Sequence, residues 1–392
     1  MAKTRKIMIV AGESSGDTHA AKLVRALRDA EPETDFQFFG AAGPKMRNAG
    51  VEEIVRSDDL SIVGLAEIFA ALPVFLRTYR DLKRAAIDRQ PDVVILVDFP
   101  DFNLRLARAL KKERFRVVNY ISPQLWAWRK HRVRAVKRDV DLVLSILPFE
   151  KDWYARNGFE NVEYVGSPLA REVHSNVCKD DFCRKHSLDP AQPIIALLPG
   201  SRNKEIARIL PIMLAASSAV CEQDRSIQFL IAVGSPSHTS DAKRAIDDAT
   251  RRRPSLPEVL RVIEAETYDA LNASDAAAVT SGTATLEAGI IGTPMVVVYK
   301  TSTLNYNLLE PMIDVPHYGL VNLIAGKRVA TELIQSDLTA QSLSDELLRL
   351  LEPGVNSAMR AELKTAADRL GHGGASKRAA EAILDLIDRD LS

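Results

Sequence analysis

The 392-residue chain carries only 3 cysteines, 6% aromatic residues and no excess of either charge, with 52 Lys and Arg against 52 Asp and Glu. Three cysteines cannot form a complete set of pairs, and a chain of this size does not need them, so a reducing, cytoplasmic setting is expected. Zero formal net charge argues against a protein whose whole surface traps nucleic acid. Long apolar runs are missing too. The longest, Leu60–Leu76, has 17 residues and contains Glu67 and Pro73, short of the about 20 uninterrupted residues that a spanning helix needs. Lys3, Arg5 and Lys6 precede an apolar run at the N-terminus, but Glu13 and Asp17 interrupt it too early for a signal sequence. It reads instead as a first β-strand.

What is present is a globular composition, 46% hydrophobic, in a chain long enough for two domains of about 100–200 residues. Short Val- and Ile-rich runs alternate with helical patterns, as in parallel α/β sheets. Strands are expected at Lys6–Ala11, Phe36–Gly40, Val93–Val97, Val117–Ile121 and Leu142–Ile146, then at Ile194–Leu198, Gln228–Val233, Arg261–Ile263, Ala276–Thr280 and Met295–Tyr299. This gives two successive doubly wound units. The stretch from Val165 to Pro193, with Gly166, Pro168, Pro190 and Pro193, is the expected hinge. The domains are therefore drawn at 1–170 and 171–345, followed by charged C-terminal helices over 346–392. Two such units are expected to face a central cleft lined by the loops that follow their strands.

Four of these loops carry residues that packing alone would not choose. Gly12-Glu13-Ser14-Ser15-Gly16-Asp17 follows the first strand, with glycines for close approach and hydroxyl and N–H groups for an anion or a sugar. It lacks the dinucleotide and P-loop fingerprints, which disfavours nicotinamide cofactors and P-loop hydrolysis. Asp98 ends the third strand, where it can accept a proton from a bound hydroxyl, while Asp101 and Asn103 suit capping of the next helix. Gly200-Ser201-Arg202 and Ser281-Gly282-Thr283 are strand-to-helix turns of the kind that holds a diphosphate, with Glu287 placed for a ribose. Two such turns in one domain point to a nucleoside diphosphate.

His174, Cys178, Cys183 and His186 lack the spacing of common zinc sites, and no hydrolase triad or H-E-x-x-H helix is evident. Arg105–Arg138 holds twelve Lys and Arg and one acid, Glu113, for a local charge of +11 that the rest of the chain cancels. Together with Leu60–Leu76 and the Arg77, Arg80, Lys83, Arg84 and Arg89 that follow it, this suggests a basic and apolar face for an anionic membrane surface. A buried helix and solvated helix faces are the simpler alternatives.

The segments AGESSGD (11–17), GAAGPKMRNAG (40–50), SIVGLAEIF (61–69), DFPDFN (98–103), SPQLWAWR (122–129), LPFEKDWY (147–154), LPGSR (198–202), SGTATLE (281–287) and NLIAG (322–326) together resemble the lipid-A-disaccharide synthase family over essentially the whole chain. The resemblance implies a GT-B fold of two Rossmann-like domains. It also implies an inverting transfer from UDP-2,3-diacylglucosamine to 2,3-diacylglucosamine 1-phosphate (lipid X), yielding a β-1,6 disaccharide 1-phosphate and UDP, without metal or other cofactor. It implies catalytic roles for Asp98, Arg202 and Ser15, and substrate contacts from Gly12, Glu13, Gly16, Asp17, Gly200, Ser201, Ser281, Gly282, Thr283, Glu287 and Asn322. Val321 stands where the family often has proline. A cytoplasmic enzyme peripheral to the inner membrane would touch it through Ile62, Val63, Leu65, Ile68, Phe69 and Leu72. The last helix is expected to return to the N-terminal domain, or to exchange with a partner in a homodimer.

The alternatives are another UDP-sugar enzyme of this fold, such as a peptidoglycan transferase or a UDP-N-acetylglucosamine 2-epimerase, and a non-catalytic membrane scaffold. An epimerase needs no apolar docking surface, so charged substitutions at Ile62, Leu65 and Phe69 that abolish liposome binding count against it. Calorimetry with UDP separates the scaffold, whose degenerate site would bind none.

Overall fold

A computed structural model of the chain describes residues 3–57, 68–252, 256–303, 306, 315–371 and 373–389. The chain divides into two compact units, Met1–Pro168 with Gly373–Ser392, and Leu169–His372. The first is built on strands β1 (Thr4–Ala11), β2 (Asp35–Ala42), β3 (Val51–Arg56), β4 (Val93–Val97), β5 (Val117–Tyr120), β6 (Leu142–Ser145) and β7 (Val162–Tyr164). They form one sheet in the order β3-β2-β1-β4-β5-β6-β7, with every pairing parallel. The second holds β8 (Ile194–Leu198), β9 (Gln228–Val233), β10 (Leu260–Glu264), β11 (Ala276–Thr280), β12 (Met295–Tyr299) and β13 (Glu332–Ile334). Its order is β10-β9-β8-β11-β12-β13, again all parallel.

The central strands VVILV and IIALL are buried at every residue. Helices on both faces of a parallel sheet demand such unbroken apolar runs. Three strands were not expected, β3 (VEEIVR), β7 (VEY) and β13 (ELI). All three lie at sheet edges, where one flank needs no partner and charged or very short segments suffice.

The strand order reverses between β1 and β4 and between β8 and β11. Crossovers on either side of such a reversal leave in opposite directions and open a crevice at the strand C-termini. The four loops singled out in the sequence follow β1, β4, β8 and β11.

The final helix, Ala375–Asp388, packs on the helix Ser14–Ala30, with Ala379, Ala380, Ile383 and Ile387 joining Ala20, Leu23, Val24 and Leu27 in one core. Arg5, only 1% exposed, bridges Glu31 at 2.7 Å and Asp388 at 3.0 Å. Arg116 donates to the carbonyls of Leu386 and Ile387, where a cation meets the negative end of the helix. Among the described residues no helix is long and apolar enough to cross a membrane. Truncating the fully buried Ile383 to alanine is expected to cost the first unit about 2–5 kcal/mol, read by denaturant unfolding, and to raise amide exchange along Ala375–Asp388.

Candidate active site

In the first unit the turn after β1 is held against the turn after β4. A Cβ on Gly12 would stand 2.5 Å from the Phe99 ring, so only glycine lets the two turns meet. Asp98 and Phe99 both adopt left-handed backbone, at φ 48° and 50°, a conformation that costs a residue such as Phe on the order of 1–3 kcal/mol. Fully buried Asn103 holds the turn, its amide donating to the carbonyls of Val97 at 3.2 Å and Asp98 at 2.6 Å. Asp98 is left half-buried at the end of the strand. Burial first, then the nearby Glu13 charge, raise its carboxyl above the usual aspartate range, against a hydrogen bond from the Phe99 N–H. Glu13 and Ser15 are exposed at the start of Ser14–Ala30, and Gly16 is buried there.

In the second unit Gly200, at φ 123°, lets the loop after β8 close over Glu205. The Glu205 carboxylate accepts the Ser201 N–H at 3.1 Å and lies 3.4 Å from the Arg202 guanidinium, whose side chain is 81% exposed. After β11, Gly282 and Thr283 are exposed at the start of the helix Thr283–Ile291. One turn on, burial raises the Glu287 carboxyl, and the Thr283 hydroxyl partly offsets this by donating to it. The Glu287 charge also faces Tyr268, which burial pushes up to about 12. These groups present hydroxyls, a cation and free helix N–H groups at one switch point, the donor set that a diphosphate requires.

Several expected contacts have other work. Asp17 is buried, and its carboxylate accepts the N–H groups of Gly43, Lys45 and Met46 at 2.9–3.1 Å, capping the helix Pro44–Asn48. In this structure it is a cap for that helix. Asn322 is likewise engaged by the protein. It is fully buried, and its amide donates to the Ala330 carbonyl and to Glu332 while its oxygen accepts from Val329 and Ala330, all at 2.8–2.9 Å. Every position an amide offers is filled. Glu332 in turn takes the N–H groups of Tyr318 and Gly319, and the Tyr318 carbonyl takes the Ser281 hydroxyl at 2.7 Å. Asn322 thus acts on the Ser281 loop from behind, and Ser281 donates to the protein. Val321 occupies the first turn of Leu320–Ala325, where proline is tolerated because that N–H has no helical acceptor. Neither Asp101 nor Asn103 caps Pro100–Lys112, whose N-terminus carries no side-chain cap.

The basic window is narrower than its composition. Lys111 pairs with Asp141, Arg129 and Arg132 pair with Asp101, Arg138 pairs with Asp139, and Arg116 is held by carbonyls. Arg77, Lys83, Arg84 and Arg89 likewise lie within 4 Å of an acid. Arg105, Arg108 and Lys112 line the outer face of Pro100–Lys112, with Arg105 over the Phe75 ring at 5.8 Å. Ile62, Val63 and Leu65 lie outside the described residues. Ile68, Phe69 and Leu72 fall in the helix Ile68–Arg89, which next exposes Val74 and Leu76.

Tyr268, Glu205 and Glu332 were missed. Glu205 had a signal, an acid in the first turn after a glycine loop. Glu332 had none, because its strand is three residues long and its partners lie 10–14 residues away in sequence.

Solved structures sharing this architecture include a putative UDP-N-acetylglucosamine 2-epimerase from Listeria monocytogenes, with TM-score 0.65, 15% identity and 98% and 97% of the two chains covered. MurG from Acinetobacter baumannii follows at TM-score 0.58 and 13% identity, covering 98% and 99%. Two parallel doubly wound units of this kind define a GT-B protein. The Lipid-A-disaccharide synthetase family model matches residues 7–386. The lipid-A-disaccharide synthases of Myxococcus xanthus (41% identical over 388 residues) and Trichlorobacter lovleyi (39% over 388) each align with 99% of this chain and 99% of their own. The chain belongs to the lipid-A-disaccharide synthetase family, and it is a glycosyltransferase.

Replacing Asn322 with alanine strands buried groups at about 1–3 kcal/mol each. The expected result is a clear fall in melting temperature together with weaker UDP binding by calorimetry. Asp98→Asn changes neither.

Proposed function

We propose that the chain makes the lipid A disaccharide 1-phosphate with Asp98 as general base and the loops after β8 and β11 as the UDP site. The Asp98 carboxylate takes the proton from the 6-hydroxyl of 2,3-diacylglucosamine 1-phosphate. The freed oxygen attacks the anomeric carbon of UDP-2,3-diacylglucosamine from the face opposite the diphosphate. The new C–O bond forms as the bond to the diphosphate breaks, the anomeric centre inverts, and UDP leaves with the electron pair. Arg202, exposed on its loop, offsets the charge that grows on the leaving diphosphate. Thr283 and Gly282 join it, and Glu287 accepts hydrogen bonds from the ribose. The observation that carries this reading is the half-buried Asp98 on a strained turn at a switch point, its proton affinity raised by burial above that of an ordinary aspartate.

The substrates' acyl chains require access to a lipid surface. We propose that the chain reaches an anionic inner-membrane leaflet through the helix Ile68–Arg89 and the neighbouring basic face. Val74 and Leu76 are 45% and 43% exposed, and Arg105, Arg108 and Lys112 supply the charge.

Asp98→Asn should lower kcat by about 10²–10⁴-fold in a mixed-micelle assay while UDP affinity stays unchanged. Near-normal turnover would remove the base. A base acts deprotonated, so activity should fall as pH drops through the Asp98 pKa, with the limb above the ordinary aspartate value of 3.8. A limb at or below that value contradicts the assignment. Val74→Glu with Leu76→Glu should cut sedimentation with anionic vesicles and spare turnover in detergent. Undiminished sedimentation would place the contact elsewhere.

A further inference from the structure

The two most distinctive segments of the sequence, 122–129 and 147–154, have no part in the reaction as laid out, yet they are bonded to each other. Trp126 is 5% exposed, and its indole N–H donates to Glu150 at 3.1 Å. The other Glu150 oxygen accepts the Leu147 N–H at 3.3 Å. The Ser122 and Tyr154 hydroxyls share a hydrogen bond of 2.9 Å, and the Trp126 ring stands edge-on to Phe149 at 5.0 Å. Glu150 is 1% exposed, and burial pushes its carboxyl up to about 8. An apolar residue of similar volume would pack there without that desolvation cost. The acid therefore serves the geometry of the loop it holds.

The far end of the same loop is fixed as well. Arg129, at a left-handed φ of 58°, and Arg132 both pair with Asp101, three residues after Asp98. β5, from which the loop departs, is hydrogen-bonded to β4, which ends at Asp98. Between these two anchors Trp128 stands 41% exposed, with the Arg129 guanidinium stacked on its ring at 4.2 Å. A large aromatic side chain left partly in water, at the strand ends that bear the base, offers a flat apolar face beside a cation.

We propose that the loop 122–132 is an acceptor-specificity element, with Trp128 the contact surface for the acylated, anionic amino sugar and the Trp126–Glu150 hydrogen bond the lock that positions it. This rests on the reading that the first unit receives the acceptor at Asp98. Glu150 and Trp126 are positioning residues, acting through Trp128 and the Asp98 turn.

The test is steady-state kinetics of the full-length protein in mixed micelles, varying each lipid substrate separately, with UDP calorimetry in parallel. Trp128→Ala should raise the acceptor KM by about tenfold, with donor KM and UDP affinity within twofold of the parent. Trp126→Phe, which keeps the ring and removes the N–H, should move acceptor KM in the same direction, as should Glu150→Leu. Glu150→Gln keeps one oxygen for the indole but turns an NH2 toward the Leu147 N–H, and should recover only part of the loss. An unchanged acceptor KM in Trp128→Ala overturns the proposal. A parallel rise of both KM values with a loss of UDP affinity in the lock variants overturns the positioning role, leaving only a structural one. Trp128 is on the surface, so its variant reports even if the lock variants do not fold. Asp98→Asn keeps the readings apart: normal turnover there defeats the base whatever Trp128 shows, and an inactive Asp98→Asn with an unmoved Trp128→Ala defeats the loop alone.

Discussion

A parallel sheet can grow in two directions from one starting pair, and where it does so the connecting helices part and leave the strand ends uncovered. In this chain the reversal occurs between β1 and β4 and again between β8 and β11. Every group with a chemical role in the proposed reaction stands on a loop leaving one of those four strands or in the first turns of the helix that follows it. β4 and β8, buried at every residue, anchor the loops that leave them. The C-terminal helix then clamps the first unit through Arg5 and Arg116.

Residues behind the loops do as much as those on them. Asp17 caps a neighbouring helix, Asn103 pins the strained Asp98 turn, and Asn322 with Glu332 holds the Ser281 loop through the Tyr318 carbonyl. Each is a buried polar group bonded to backbone groups, Asn322 also to Glu332, and such bonds specify one geometry for the loop they hold. Substitutions there are therefore expected to weaken function by displacing a loop.

Much of this was legible in the sequence, for physical reasons. Runs such as VVILV and IIALL have no alternative to a doubly covered strand, and glycine with hydroxyls after such a run signals an open strand-to-helix turn. β3, β7 and β13 escaped because edge strands tolerate charge and brevity. The bonds of Asp17 and Asn322 to the fold escaped because a polar residue in such a motif reads the same whether it faces a ligand or the backbone. Only the filled hydrogen-bond positions around Asn322 separate the two. Local charge misled in the same way. Of the twelve cations in Arg105–Arg138, Lys111, Arg116, Arg129, Arg132 and Arg138 are answered by Asp101, Asp139, Asp141 and a helix terminus, partners that spacing along the chain does not reveal.

The most direct test of the account is mass spectrometry of the products formed when the purified chain is given UDP-2,3-diacylglucosamine and 2,3-diacylglucosamine 1-phosphate together. The account predicts a tetra-acylated β-1,6 disaccharide 1-phosphate and one UDP for each disaccharide. Unchanged lipid substrates, or UDP-sugar converted without any disaccharide, would contradict it.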